Sequence, residues 1–141
     1  MNNSLTILIR NEISEISRIL DLIERFGEEN NISPGIINSL NLSLDEIITN
    51  TISYGYKDSE SHTICVALEL KNNVINVKIE DDGIAFNPLE VPEADITKPL
   101  EEKSIGGLGV HLVKNLMDSV AYRRIENKNI FIMNKNINKE L

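Results

Sequence analysis

HTICVALEL (His62–Leu70), Asn72-Asn73 and VINVKIE (Val74–Glu80) form the stretch from which the rest of the chain is read. Apolar and polar residues alternate in both runs, the period-two pattern of a strand with one buried face. The Asn72-Asn73 pair suits a tight hairpin turn, so the two strands are expected to be antiparallel neighbours. One apolar face of that hairpin has to be covered, and the flanking segments carry the patterns that cover it.

Upstream, LTILIR (Leu5–Arg10) reads as a short strand. Asn11 is placed to cap a helix whose apolar residues Ile13, Ile16, Leu20, Ile23 and Phe26 recur at helical spacing and fade around Gly27 to Asn31. Ser33-Pro34 then supplies a cap followed by proline at the first helical position. Ile37, Leu40, Leu44, Ile47, Ile48 and Thr51 form the stripe of a second helix ending near Gly55. Downstream, periodicity is lost from Asp81 to Leu108 and resumes with Val110, Leu112, Val113, Leu116 and Met117 on a third helix. Val120–Arg124 and Ile130–Met133 are expected to be closing strands around a turn at Asn127-Lys128-Asn129, with a polar tail over 134–141. The economical arrangement is α+β, a two-layer α/β sandwich whose helices cover one face of the sheet.

The 141 residues are expected to form one domain, 1–141, without internal repeats. No apolar run approaches the roughly 18 residues that cross a bilayer, and Met1-Asn2-Asn3-Ser4 has no secretory pattern, so no membrane partner and a cytoplasmic location are expected. A net charge of −8 argues against nucleic acid as the main ligand and suits a basic protein partner. The single cysteine, Cys65, cannot close an internal disulfide and is expected to be a small buried side chain.

Three segments have the residue types of a chemical site. Glu46 and Asn50 stand one helical turn apart, on a face distinct from the Ile/Leu stripe. A carboxylate and a carboxamide so placed suit hydrated Mg²⁺ and a hydroxyl or water, although taken alone the pair is more often a solvated face. Asp81-Asp82-Gly83 ends a strand: an aspartate there can accept from an exocyclic amine such as adenine's, and Gly83 allows close backbone approach, although Asp-Gly is more often a simple turn. Gly106-Gly107-Leu108-Gly109-Val110-His111 runs into the third helix, where consecutive N–H groups suit a phosphate chain. It is neither a Walker loop nor a dinucleotide fingerprint, and a flexible loop is the competing reading.

In order and spacing, Glu46-x-x-x-Asn50, Asp81-x-Gly83 and Gly107-x-Gly109 resemble the N, G1 and G2 boxes of the GHKL (Bergerat-fold) ATPases over about Leu5 to Met133. Asn50–Tyr56, Asp82–Pro88 and Gly106–Lys114 resemble most the branch of bacterial anti-sigma-factor serine-protein kinases. The resemblance implies a mixed, mostly antiparallel sheet, ATP or ADP with Mg²⁺ as ligands, and serine/threonine-protein kinase activity. Glu46 would be the catalytic general base and Asn50 the Mg²⁺ ligand. Asp81 and Gly83 would hold adenine, and Gly106, Gly107, Leu108, Gly109, Val110 and His111 the phosphates. A lid over about 86–108 would offer Lys98 and Lys103 to the phosphates. Ala85 departs from the pattern, standing where many relatives have a second glycine, and puts the lid's path in question. His62 is given no special role, and Tyr54 and Tyr56 are read as packing residues. The implied partners are an anti-sigma-factor antagonist (a STAS-like protein) as phosphoacceptor, a sigma factor, and a second copy in a homodimer.

Two other classes compete. One is a nucleotide-dependent binding module that sequesters a partner with little or no phosphotransfer. The other is an ATPase machine, for which the chain has no room, or a sensor-kinase fragment, against which the absent phosphoacceptor helix and the complete-looking start at Leu5 count.

Overall fold

The computed structural model describes residues 3–90 and 107–138, and the side chains of residues 107–110 fall outside that description. The element order is β1 (Ser4–Arg10), α1 (Ile16–Glu29), α2 (Pro34–Gly55), β2 (Thr63–Lys71), β3 (Val74–Asp81), α3 (Gly107–Leu116), β4 (Ser119–Ile125) and β5 (Lys128–Asn136). Five strands make one sheet in the order β1-β2-β3-β5-β4, and every described pairing is antiparallel.

The central hairpin forms as its sequence predicts. Asn72 (φ 53°) and Asn73 (φ 64°) both take left-handed backbone, the geometry of a two-residue turn whose twist matches the strands. Its register aligns Val66 with Ile79 and Leu68 with Val77, and through β1 and β5 extends the row to Ile7 and Phe131. These inward residues are all at most 3% exposed. The three helices share one core with them: Ile19 and Ile23 of α1, Leu40, Leu44, Ile47 and Ile48 of α2, and Val113 of α3 are wholly buried. This is the expected two-layer α/β sandwich.

Several local expectations shift. Asn11 does not cap a helix: its Oδ1 accepts from His62 N (2.9 Å) and its own N donates to His62 O (3.0 Å), tying the exit of β1 to the entry of β2. The helix start is instead a 3₁₀ turn at Ile13–Glu15, which leaves Ile13 53% exposed, and Ile19 rather than Ile13 belongs to the core. Ser33 caps α2 through Ile36 N, with Pro34 in the first turn, as the sequence indicates. Cys65 is half-buried on the outward face of β2, because Ile64 and Val66 take the inward positions.

The last turn begins one residue earlier than expected and is shorter. Glu126 (φ 50°) and Asn127 (φ 65°) form it, and Lys128 already pairs with Ile125. Asn129 therefore falls on the inward face of β5, 4% exposed. β5 also continues through Asn134, Lys135 and Asn136, the first residues of the polar tail, while 139–141 lie outside the described residues. Among the described residues no helix is long and apolar enough to cross a membrane.

Burial separates two leucines on α2: Leu40 is 0% exposed and Leu42 45%. Leu40→Ala is expected to lower unfolding stability by about 2–5 kcal/mol in urea titrations, whereas Leu42→Ala should change it by about 0.5 kcal/mol or less.

Candidate functional site

α2 brings the first segment into the interior. Asn50 follows Ile47 and Ile48 along the buried side and is 0% exposed, so the pair is not on a solvated face. Asn50 Nδ2 donates to Glu46 Oε1 (3.2 Å), and Asn50 Oδ1 has no hydrogen-bond partner. A buried carbonyl oxygen without a donor costs roughly 1–3 kcal/mol. An uncompensated acceptor beside a half-buried carboxylate has the chemistry of a site for a hard cation, which takes oxygen ligands. The pair therefore fits Mg²⁺. Burial pushes the Glu46 carboxyl above its ordinary value; the Asn50 amide opposes this, and the Asp45 charge adds to it.

The second segment closes on the C-terminal end of the same helix. Ile84 N donates to Gly55 O (2.8 Å), and a Cβ on Gly83 would stand 2.5 Å from that oxygen. Gly83 is thus required by close approach of two backbones. The rings of Tyr54 and Phe86 lie 5.4 Å apart, a packing contact as expected for Tyr54. Asp81 ends β3 on the inward face and is 5% exposed. Its Oδ1 accepts from Gly83 N (2.8 Å) and from Asn129 Nδ2 (2.9 Å). Burial raises the Asp81 carboxyl above its ordinary value, against the Asn129 and Gly83 hydrogen bonds. Among the described residues none donates to Oδ2, which leaves it as the oxygen that can take a ligand's N–H.

The third segment also packs on α2. Gly107, Leu108, Gly109 and Val110 form the first turn of α3, so the backbone N–H groups there belong to a helix start. His111 follows on the exposed side of that helix. Gly106, Lys98, Lys103 and lid residues 91–106 lie outside the described residues. α2 is thus the element that the Gly55–Ile84 contact and α3 both meet.

Two residues were missed from the sequence. Asn129 was read as part of a turn, and only strand register reveals it as the cross-strand partner of Asp81. His62, given no role, lies between two carboxylates: Nε2 is 2.9 Å from Asp58 Oδ1, and Nδ1 is 3.2 Å from Asp82 Oδ1. Its ring packs on Tyr56 at 4.7 Å. The hydrogen bonds to Asp58 and then Asp82 raise the His62 pKa above the ordinary imidazole value. The Tyr56 hydroxyl is raised by burial and by the Asp81, Asp82 and Asp58 charges, and it has no hydrogen-bond partner. An Asp-x-x-x-His spacing (Asp58, His62) is too common to have signalled this clasp.

Comparison with known proteins fits this geometry. Residues 9–135 match the histidine kinase-like ATPase domain. The chain is 30% identical over 108 residues to the serine-protein kinase RsbW of Listeria monocytogenes, covering 74% of this chain and 68% of that one. Against the serine-protein kinase RsbW of Bacillus thuringiensis it is 28% identical, covering 74% and 66%. Among solved structures, the RsbU and RsbW domains of a Mycobacterium tuberculosis protein superpose with a TM-score of 0.70 at 12% identity, over 96% of this chain and 32% of that one. The histidine kinase domain of a blue-light-activated kinase from Erythrobacter litoralis gives 0.56 at 14% identity, over 89% and 61%. At those identities the structures speak to the fold alone. The chain spans about two thirds of the length of its curated relatives.

Gly83→Ala is expected to force the loop off Gly55 and lower stability by about 1–3 kcal/mol, read by thermal unfolding. His62 should titrate above an ordinary histidine in proton NMR, and Asp58→Asn should bring it down. The stabilisation from this clasp is full below an unperturbed histidine's pKa, roughly 6.5, and is lost as pH rises through the raised value.

Proposed function

The chain belongs to the histidine kinase-like ATPase family, and from that footing we propose that it is a protein kinase, transferring the γ-phosphoryl group of ATP to a serine or threonine of a partner protein. The observation that carries this reading is Asn50, wholly buried, with its amide nitrogen committed to Glu46 and its oxygen unpartnered. A module that only held nucleotide would use the acceptor for Mg²⁺, whereas a half-buried carboxylate beside it also supplies a base for phosphoryl transfer. The names of the curated relatives, serine-protein kinases at about 30% identity, support the same chemistry.

In this reading Asp81 Oδ2 accepts from the adenine amine, and Gly83 allows the base to lie against the loop. The N–H groups of the α3 start, from Gly107 to His111 with Gly106 before them, hold the phosphates, with Lys103 as a further phosphate contact in this reading. Asn50 Oδ1, with Glu46 beside it, would hold Mg²⁺, which neutralises charge on the phosphate oxygens when bound with the nucleotide. Glu46 accepts the hydroxyl proton as the serine or threonine oxygen bonds to the γ-phosphorus. The bond from that phosphorus to the β,γ-bridging oxygen breaks, and ADP leaves. Burial raises the Glu46 carboxyl, which makes it a stronger base than an exposed glutamate. The partners that follow from the reading are an anti-sigma-factor antagonist as phosphoacceptor, a sigma factor held in the alternate state, and a second copy of this chain, in the cytoplasm.

Incubation with radiolabelled ATP, Mg²⁺ and a STAS-like antagonist is expected to yield phosphoserine or phosphothreonine on the antagonist. Glu46→Gln should reduce the rate by about 10²–10⁴-fold while ATP is still bound. The rate should fall on acidification, because the base must be unprotonated. Binding of ATP and antagonist without any transfer would favour the sequestering module instead.

A further inference from the structure

Asn129 is the most fully engaged side chain at the candidate site. It lies opposite Asp81 in β3 and opposite Arg124 in β4. Its Nδ2 donates to Asp81 Oδ1 (2.9 Å) and to Ile84 O (2.8 Å). Its Oδ1 accepts from Arg124 Nη1 (3.1 Å), from Phe86 N (3.3 Å) and from the Tyr122 hydroxyl. Arg124 Nη1 also donates to Gly83 O (2.8 Å).

These partners leave the amide one orientation. A guanidinium and a backbone N–H can only donate, and a backbone carbonyl can only accept, so the nitrogen must face Asp81 and Ile84. Two consequences follow for Asp81. With Oδ1 occupied by both Gly83 N and Asn129, the carboxylate cannot rotate without breaking a buried bond, and Oδ2 alone is left for a ligand. A donor that cannot turn into an acceptor also favours the ionised carboxylate, in a place where burial favours the neutral one. The other charged or titratable groups around Asp81 are Asp82, paired with His62, which disfavours its charge; Arg124, which favours it; and the Tyr56 hydroxyl.

Resting on the kinase reading of this site, we propose that Asn129 is a positioning residue for the nucleotide base: its amide holds Asp81 as an acceptor with one free oxygen, and so makes the site take a 6-aminopurine and reject a 6-oxopurine. A neutral Asp81 would present a hydroxyl donor that a 6-oxo group can accept, and a rotated one would lose the fixed position of its free oxygen. Asn129 thereby sets both the base preference and the lower pH limit of nucleotide binding. Through Ile84 and Phe86 it also anchors the chain that leaves the site toward residue 90.

The test compares Mg²⁺-ATP with Mg²⁺-ITP by calorimetry across pH, for wild type, Asn129→Ala and the near-isosteric Asn129→Asp. Wild type is expected to prefer ATP and to lose it on acidification. In Asn129→Ala the loss should begin at higher pH, and the ATP-over-ITP ratio should fall about tenfold or more, the equivalent of one 1.4 kcal/mol step. In Asn129→Asp, ATP affinity should be lowest at neutral pH, where two carboxylates face each other, and should recover as one of them takes a proton. A merely structural role would lower stability and weaken both nucleotides equally, with the pH midpoint and ratio of wild type. That result in either folded variant overturns the proposal. Wild type failing to bind ATP overturns the kinase reading and this inference with it; wild type binding while the variants keep its ratio and pH profile overturns the inference alone.

Discussion

A strand sends alternate side chains to the same face, and β3 uses that constraint to carry a carboxylate into the interior. Ile75, Val77, Ile79 and Asp81 share one face, and each is at most 5% exposed. The first three are held by the apolar layer of the helices, and that burial fixes the register of the whole sheet. A slip of one residue would turn the aliphatic row out to solvent. The same register therefore compels the fourth residue to lie at the edge of the core, where a charge is costly unless hydrogen bonds meet it.

The rest of the site is organised around that cost. Gly83 folds the chain back so that its N–H reaches Asp81, and the turn is possible because no side chain separates it from Gly55. Register across β5 delivers Asn129 to the same carboxylate oxygen. The end of α2 is pinned to the turn through Gly55 and Ile84, and one and a half turns back along that helix lies Asn50 with its unpartnered oxygen. Two buried polar groups, one carboxylate and one amide, thus keep one oxygen each outside the protein's own hydrogen bonding. Stability is given up at both, a cost natural proteins carry where a ligand supplies the missing partner.

Most of the architecture was legible because its signals are periodic. The hairpin, the long α2 stripe and the Ser33-Pro34 start follow from alternation, helical spacing and capping, and each is found in place. Helix starts without strong caps were less legible: Ile13 fits the helical pattern yet lies in an exposed 3₁₀ turn, because Asn11 is engaged by His62. The turn at Glu126-Asn127 was misplaced because glutamate rarely takes left-handed backbone, and with it the inward position of Asn129 was hidden. In the candidate site, Glu46, Asn50, Asp81 and Gly83 could be singled out because their types and spacing suit a nucleotide. Asn129 could not, since Asp81 is distant in sequence and only strand pairing brings the two together; nor could His62, whose near partner Asp58 stands at a commonplace spacing and whose other partner Asp82 is brought up only by folding.

In the proposed reading, a buried aspartate with one committed oxygen and one available oxygen reads an adenine. Isothermal calorimetry of Mg²⁺-ATP binding to wild type and to Asp81→Asn, with unfolding curves for both, decides it. Wild type should bind, and Asp81→Asn, while still folded, should lose affinity by about a hundredfold or more, as when a buried charged hydrogen-bond partner is removed. Equal ATP affinity in the two folded proteins would rule that role out.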